Sequence, residues 1–194
     1  MGAETGARLD LARPRRLHLV GVGGAGMSAV ATVLAGMGHS VTGSDSADGP
    51  VLRRLAAEGV GVYVGNRAEN VDPGLDAVVY STAVPPDNVE LRAAADLGVP
   101  VVHRGVALGA ISEMRRTVAV AGSHGKTSTS ALLVSVLRAA GLDPGFVIGA
   151  DTIALGTNAA PGAGEWMVIE ADESDGSFSH LRPEVALVTN VEPD

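Results

Sequence analysis

The sequence predicts an α/β fold built on parallel sheets, and three observations carry that prediction. Short apolar runs of strand length alternate with helical patterns along the chain, as in βαβ units. The order strand, glycine-rich turn, helix occurs twice, at places about 100 residues apart. Hydrophobic residues make up 46% of the 194 residues and aromatics only 3%, which favours packing of helices on a sheet through small side chains.

The predicted elements follow that order. In the first half we expect strands at 17–22, 41–44, 76–81 and 99–102, followed in turn by helices at 26–37, 51–58, 88–97 and 105–115. In the second half we expect strands at 117–121, 166–170 and 185–189 and a helix at 127–140. The Gly-, Ala- and Asn-rich stretch 151–164 is interpreted as a surface loop. A domain boundary is predicted near 114–116, just before the second strand–loop–helix start.

The composition argues against several classes of function. The chain has no cysteine, which excludes disulfides, thiolate metal sites and cysteine nucleophiles. Its formal charge is −8 and no basic stretch is interleaved with aromatics, so we expect no nucleic-acid partner. No apolar run reaches the roughly 18 residues of a membrane span, and residues 1–16 lack the apolar core of a signal peptide. We therefore expect a soluble cytoplasmic protein.

The first glycine-rich turn is Gly21-Val-Gly-Gly-Ala-Gly26, which fits G-x-G-x-x-G between a strand and a helix. Such a turn lets the backbone approach a diphosphate, and the amides at the N-terminus of the following helix stabilise its negative charge. Asp45 follows Gly26 by 19 residues, about where a ribose-binding acid is expected. Alone, the motif predicts a nucleotide site with NAD as the default ligand, and a plain tight turn with a solvated Asp45 is the alternative. The candidate binding residues are Gly21, Gly23, Gly24, Ala25, Gly26 and Asp45.

The second turn contains Lys126, the single lysine beside thirteen arginines. Glycines at 122 and 125 free backbone amides to surround phosphate oxygens, Lys126 can reach the β- and γ-phosphates, and the Thr127 hydroxyl can ligate Mg²⁺. The loop is a shortened variant of G-x-x-x-x-G-K-[ST], since Val120 stands where that pattern has glycine. An accidental Gly-Lys-Thr helix start is the alternative. The candidate ATP-binding residues are Gly122, Ser123, His124, Gly125, Lys126, Thr127 and Ser128.

A third motif places four carboxylates at the end of a strand, in Trp166-Met-Val-Ile-Glu-Ala-Asp-Glu-Ser-Asp175. Mg²⁺ prefers one or two carboxylates together with waters and phosphate oxygens. Beside a phosphate loop, such a strand end predicts a magnesium site with Glu170, and less certainly Glu173, as ligands. An acidic surface turn that caps the next helix is the alternative.

These motifs together resemble the Mur ligase family, whose members add amino acids to a UDP-sugar precursor of peptidoglycan. The phosphate loop, the acidic strand end and Val188-Thr-Asn-Val-Glu-Pro-Asp194 carry the resemblance. Gly21-Val-Gly-Gly-Ala-Gly-Met-Ser28 and Tyr80-Ser-Thr-Ala-Val-Pro-Pro86 are similar to the UDP-binding domain of the L-alanine-adding branch. Gly156-Thr-Asn-Ala159 is similar to a central-domain loop of that branch.

The resemblance implies a flexible extension at 1–16, a Rossmann-like UDP-sugar domain at 17–115, and the first part of a P-loop ATPase domain at 116–194. It implies UDP-N-acetylmuramate and L-alanine as substrates, joined through an acyl phosphate, with ATP and Mg²⁺ as cofactors. Lys126 and the loop amides hold the ATP phosphates by this resemblance, with Lys126 and Glu170 as the catalytic pair. Thr127, Glu170 and Glu173 bind the metal, and Ser81 and Thr82 lie near the diphosphate of the sugar nucleotide.

The chain departs from the family pattern in three places. Ser123 replaces the usual threonine, and Val106 stands where relatives carry an acid. The sequence stops at Asp194, before the C-terminal domain of relatives, so we expect a fragment whose own activity is open. The alternatives are a related ligase that attaches a recycled tripeptide to the same UDP-sugar, and a nucleotide-binding module without catalysis. An NAD-dependent dehydrogenase is the weakest alternative because it gives the Lys126 loop no role.

Overall fold

The computed structural model describes residues 8–172 and 176–192. They form two five-stranded sheets with helices between and around them, so the α/β class predicted from the sequence is confirmed. The first sheet contains β1 (Arg16–Val20), β2 (Ser40–Asp45), β3 (Gly61–Val64), β4 (Ala77–Tyr80) and β5 (Val101–His103). Its helices are α1 (Ala25–Gly36), α2 (Pro50–Ala57), α3 (Val89–Asp96) and α4 (Arg104–Glu113).

The order of strands in the first sheet creates a switch point between β1 and β4. The order is β3-β2-β1-β4-β5, and all neighbouring pairs are parallel. The chain moves outward in one direction through β2 and β3, then returns to the other side of β1 with β4. Ligands of open α/β sheets bind outside the carboxyl ends of the strands at such a switch point.

The second sheet surrounds the strand that precedes the phosphate loop. It contains β6 (Arg116–Ala121), β7 (Gly145–Val147), β8 (Ala159–Ala160), β9 (Trp166–Glu170) and β10 (Val185–Val188). The order is β10-β6-β9-β7-β8, and only the β7–β8 pair is antiparallel. Helix α5 (Lys126–Ala139) follows β6. The ends of β9 and β10 therefore flank the loop between β6 and α5.

Three strands were not predicted from the sequence. β3 starts with Gly61 and forms the exposed edge of the first sheet, while β7 has only three residues. The interpretation of 151–164 as a loop was wrong at Ala159–Ala160, which pair with β7. Two residues held by a neighbouring strand leave no periodicity of their own in the sequence.

The two sheets share one apolar core around α1. Every residue from Met27 to Leu34 is buried, and a continuous cluster joins α1 to residues of both sheets, among them Leu19 and Ile169. Gly36 allows Pro161 close, since a Cβ at Gly36 would lie 2.4 Å from Pro161 Cγ. Among the described helices none is long and apolar enough to cross a membrane.

Candidate functional sites

The first candidate site starts at the glycine turn after β1. Gly21 adopts φ +74°, a conformation that favours glycine, and its amide and that of Val22 donate to the Ser44 carbonyl oxygen at 2.8 and 2.9 Å. The Gly23 amide donates to Asp45 Oδ2 at 2.9 Å, and a Cβ at Gly23 would lie 2.7 Å from that oxygen. Asp45 therefore braces the turn directly, a contact that the prediction of a ribose-binding acid did not include.

This turn forms one wall of a cleft of about 600 Å³ at the switch point. Of the predicted residues, the structure brings together at this cleft Gly21, Gly24, Ala25, Gly26, Asp45 and Ser81. Gly23 and Thr82 are not among the lining residues, and Thr82 is exposed. Helix α1 begins at Ala25 without a side-chain cap, so its first amides are available to an anion in the cleft.

Sequence reasoning missed four polar residues that line this cleft: Ser46, Asn66, Asn88 and Arg104. Asn66 follows β3 and Asn88 is the N-cap of α3, and neither belongs to a ligand-binding motif, so the sequence alone offered no signal for their place at the cleft. Arg104 follows β5 directly, at the carboxyl end of a parallel strand, which is where a signal could have been sought.

A buried carboxylate lies behind the same cleft. Glu90 and His18 are both fully buried, and His18 Nε2 lies 3.6 Å from Glu90 Oε1. Ser44 and Asn70 donate hydrogen bonds to the Glu90 carboxylate. Burial raises the pKa of Glu90, but His18, Ser44 and Asn70 together outweigh burial and bring that pKa below its usual value. The ionised carboxylate thus ties β1, β2 and α3 together beneath the cleft.

The second candidate site is the loop between β6 and α5. Gly122 and Gly125 have φ +133° and +79°, and Gly125 is the N-cap of α5, which has no side-chain cap. Lys126 Nζ donates to the Gly122 carbonyl oxygen at 2.7 Å, so the ammonium folds back across the loop. A long helix with uncapped first amides and an adjacent ammonium fits a phosphate group.

The end of β10 braces this loop. Asn190 Oδ1 accepts from the His124 amide at 2.9 Å, and the Thr189 hydroxyl donates to the His124 carbonyl oxygen at 2.6 Å. A Cβ at Gly122 would lie 2.1 Å from Thr189 Oγ1. Thr189 and Asn190 belong to the sequence Val188-Thr-Asn-Val-Glu-Pro-Asp194, which carries part of the family resemblance, but sequence reasoning gave neither of them a role.

Glu170 lies beside the start of α5. Thr127 Oγ1 is 3.0 Å from both carboxylate oxygens of Glu170, and the Gly149 amide donates to Oε2 at 2.8 Å. Glu173, the other predicted metal ligand, lies outside the described residues. Within 8–172 and 176–192 no three His, Asp or Glu side chains form a metal-binding group. The hydroxyl–carboxylate pair fits a cation that takes its other ligands from phosphate and water.

A smaller cleft of about 110 Å³ lies between the first site and Glu170. Gly26 and Arg104 line it from the first sheet, and Gly149, Glu170 and Asp172 line it from the second. Gly26 of the first site and Glu170 of the second therefore line the same cleft, while residues 122–128 do not.

Comparison with known proteins finds a family that matches half of the chain. Residues 16–116, which include the first sheet and its four helices, match a family described as Mur ligase family, catalytic domain. The UDP-N-acetylmuramate--L-alanine ligase of Chromobacterium violaceum is 53% identical over 182 residues, which cover 94% of this chain and 39% of that relative. The enzyme of the same name from Variovorax paradoxus is 51% identical over 180 residues, covering 93% and 37%.

Two solved structures share the fold over nearly the whole chain. UDP-N-acetylmuramate-alanine ligase from Thermotoga maritima has a TM-score of 0.82 and 32% identity, covering 93% of this chain and 42% of its own. UDP-N-acetylmuramate:L-alanyl-gamma-D-glutamyl-meso-diaminopimelate ligase from Neisseria meningitides also has a TM-score of 0.82, with 31% identity, covering 94% and 62%. The chain spans less than two thirds of each of these relatives.

Proposed function

Since the chain belongs to the Mur ligase family, we propose that it serves in joining UDP-N-acetylmuramate to L-alanine at the expense of ATP. The amide forms in peptidoglycan synthesis, after the muramate carboxylate has been activated as an acyl phosphate. One observation carries the proposal: Glu170, which is hydrogen-bonded to Thr127 of the phosphate loop, shares a cleft with Gly26 and Arg104 of the sugar-nucleotide site.

The first cleft suits the nucleotide diphosphate of the substrate. The turn's own amides, from Gly21 to Gly24, donate within the protein, so the uncapped start of α1 is what offers backbone donors to phosphate oxygens. Ser81, after β4, offers a hydroxyl from across the switch point. The roles of Gly21, Gly24, Gly26 and Asp45 are proposed on this basis. Gly23 supports the turn from behind, while exposed Thr82 has the weakest support.

The phosphate loop suits ATP. When bound, ATP supplies the phosphoryl group that turns a carboxylate into a reactive acyl donor. The chain's own contribution is positioning and neutralisation of charge, since phosphoryl transfer needs little covalent chemistry from the protein. The uncapped start of α5 offers amides and the Thr127 and Ser128 hydroxyls, and Lys126 offers its ammonium. Thr127 and Glu170, already hydrogen-bonded to each other, would hold Mg²⁺.

The tripeptide ligase is the rival within the family, because one solved structure of that name has the same TM-score as the alanine ligase. The two solved structures, at 32% identity for the alanine ligase and 31% for the tripeptide ligase, do not separate the two ligases, but the alanine ligases of Chromobacterium violaceum and Variovorax paradoxus are 53% and 51% identical to the chain. The closer sequence favours alanine. A module that binds nucleotide without catalysis is the second rival, since the chain spans 39% of the length of the Chromobacterium violaceum relative.

Calorimetric titration of the 194-residue chain with UDP-N-acetylmuramate, NAD and Mg-ATP tests the proposal. We expect binding of the sugar nucleotide and of Mg-ATP, and none of NAD. Binding of NAD alone would overturn the proposal. Incorporation of labelled L-alanine or tripeptide into the sugar nucleotide then separates the two ligases, and binding without either incorporation favours the module.

A further inference from the structure

Arg104 is the basic side chain that lines both clefts. It is the first residue of α4 and lines both the sugar-nucleotide cleft and the smaller cleft beside Glu170. Among the described residues lining either cleft, it is the only lysine or arginine. The other charged lining residues are acidic: Asp45 in the first cleft, and Glu170 and Asp172 in the second.

The position of Arg104 is set by close packing on both sides. A Cβ at Gly26 would lie 1.8 Å from Arg104 Nη1, so the guanidinium occupies the space that a side chain would fill beside the start of α1. Also on α4, Gly105 and Gly109 face the 3₁₀ turn at Ser177–His180. A Cβ at Gly109 would lie 2.6 Å from the His180 carbonyl oxygen. The absence of side chains at these two positions thus lets α4 pack closely against this turn.

The negative charge of the proposed substrate suggests a role for the Arg104 guanidinium. UDP-N-acetylmuramate carries a diphosphate and a carboxylate, and the carboxylate must reach the side of the phosphate loop to be activated. Asp45, Glu170 and Asp172 repel that carboxylate on its way. A guanidinium offers a planar pair of donors that matches a carboxylate, and such charge-assisted pairs are the strong hydrogen bonds of proteins.

We propose that Arg104 is a substrate-positioning residue that binds the carboxylate of the sugar nucleotide where the two clefts meet. The inference rests on the proposed function and adds a residue to it. The guanidinium neutralises the ionised carboxylate and keeps its oxygen directed toward the Glu170 side, where activation takes place.

Titration of the full chain with two related ligands tests this role. UDP-N-acetylglucosamine has the same nucleotide and sugar ring as UDP-N-acetylmuramate but no carboxylate. We expect Arg104→Met to weaken binding of UDP-N-acetylmuramate about 10- to 100-fold, the loss typical of a charged hydrogen-bonded pair. Binding of UDP-N-acetylglucosamine should change less than about twofold. Arg92→Met, on the exposed side of α3, is the matched control and should change neither.

Arg104→Lys keeps the charge and loses the planar fork, so it should weaken only the carboxylate ligand, and less than Arg104→Met does. This variant also keeps the test valid if Arg104→Met does not fold. Equal losses for both ligands would overturn the inference, because the guanidinium would then be serving the diphosphate. Equal affinity of the unaltered chain for both ligands would overturn it as well. If the unaltered chain binds neither, the proposed function fails first.

Discussion

A methyl group at Gly26 moves Arg104 without removing its charge. The alanine Cβ would lie 1.8 Å from Nη1 and 3.0 Å from Cζ, so Nη1 must retreat by about 1.6 Å to reach an ordinary 3.4 Å contact. Gly26 lies inside the first turn of α1 and its φ is not positive, so alanine meets no backbone strain there. Alanine is favoured over glycine in a helix by up to about 1 kcal/mol.

The expected result is therefore a protein that is equally or more stable but binds its substrate less well. We expect Gly26→Ala to unfold at an unchanged or higher temperature and to bind UDP-N-acetylmuramate about tenfold more weakly, as a charged hydrogen bond is lost or lengthened. Thermal unfolding followed by circular dichroism gives the first quantity and calorimetric titration the second. Gly49→Ala is the control, because a Cβ at Gly49 meets no atom within 4 Å and Gly49 does not line the cleft.

The affinity of Gly26→Ala for UDP-N-acetylglucosamine, which has no carboxylate, determines how the result is interpreted. If Gly26→Ala weakens it as much as UDP-N-acetylmuramate, the methyl group blocks the diphosphate and the reasoning from Arg104 is refuted. Unchanged affinity for both ligands refutes it too, since a displaced guanidinium would then have no consequence. A marked loss of stability would show that the Arg104 guanidinium cannot move away from the added methyl group. This would contradict the freedom of movement expected at the end of a long side chain.

Three further predictions concern the phosphate loop and the buried carboxylate. Lys126→Met removes the ammonium held at Gly122 and should weaken Mg-ATP at least about tenfold while leaving UDP-N-acetylmuramate unchanged; equal calorimetric losses would contradict separate sites. Thr127→Val removes the hydroxyl bonded to Glu170 and should abolish the Mg²⁺ dependence of ATP binding, whereas Thr127→Ser should keep it. Glu90→Gln should lower the free energy of unfolding at pH 7 by about 1–3 kcal/mol, measured with urea. Because the pKa of Glu90 is lowered, its stabilisation is present at neutral pH and is lost as pH falls through that lowered pKa, so the two proteins should converge in acid; a constant difference would contradict this.

The sequence predicted best those features that local backbone geometry dictates. Gly21, Gly122 and Gly125 do adopt positive φ, as tight turns after strands require, and both turns open a helix. Glu170 does end a strand beside the loop, because parallel strands place their carboxyl ends at one edge. The residues of each motif lie within about ten positions of one another, so the motif is visible in a short window, and the parallel-strand rule then places Glu170 beside the loop.

The features that the sequence did not predict depend on distant segments. In the sequence Arg104 is only a residue near the start of a helix, and its close approach to Gly26 of α1, which is distant in sequence, is visible only in the fold. Asn190 braces His124 across 66 positions of sequence. Nothing in the residue types of such pairs fixes the partner, since an asparagine or an arginine finds many alternatives on a protein surface.

The predicted division into domains at 115/116 stays a prediction, but the contacts across it show what a separation would cost. Asn158, which is buried, donates to the Ala25 carbonyl oxygen at the start of α1, and Pro161 packs where Gly36 has no side chain. These contacts join the second sheet to both ends of the helix that begins at the sugar-nucleotide cleft. A helix buried on all its sides cannot tilt with one sheet without disturbing the other. The distance between the glycine turn and Glu170 is therefore set by packing, as positioning of two substrates for a single transfer demands.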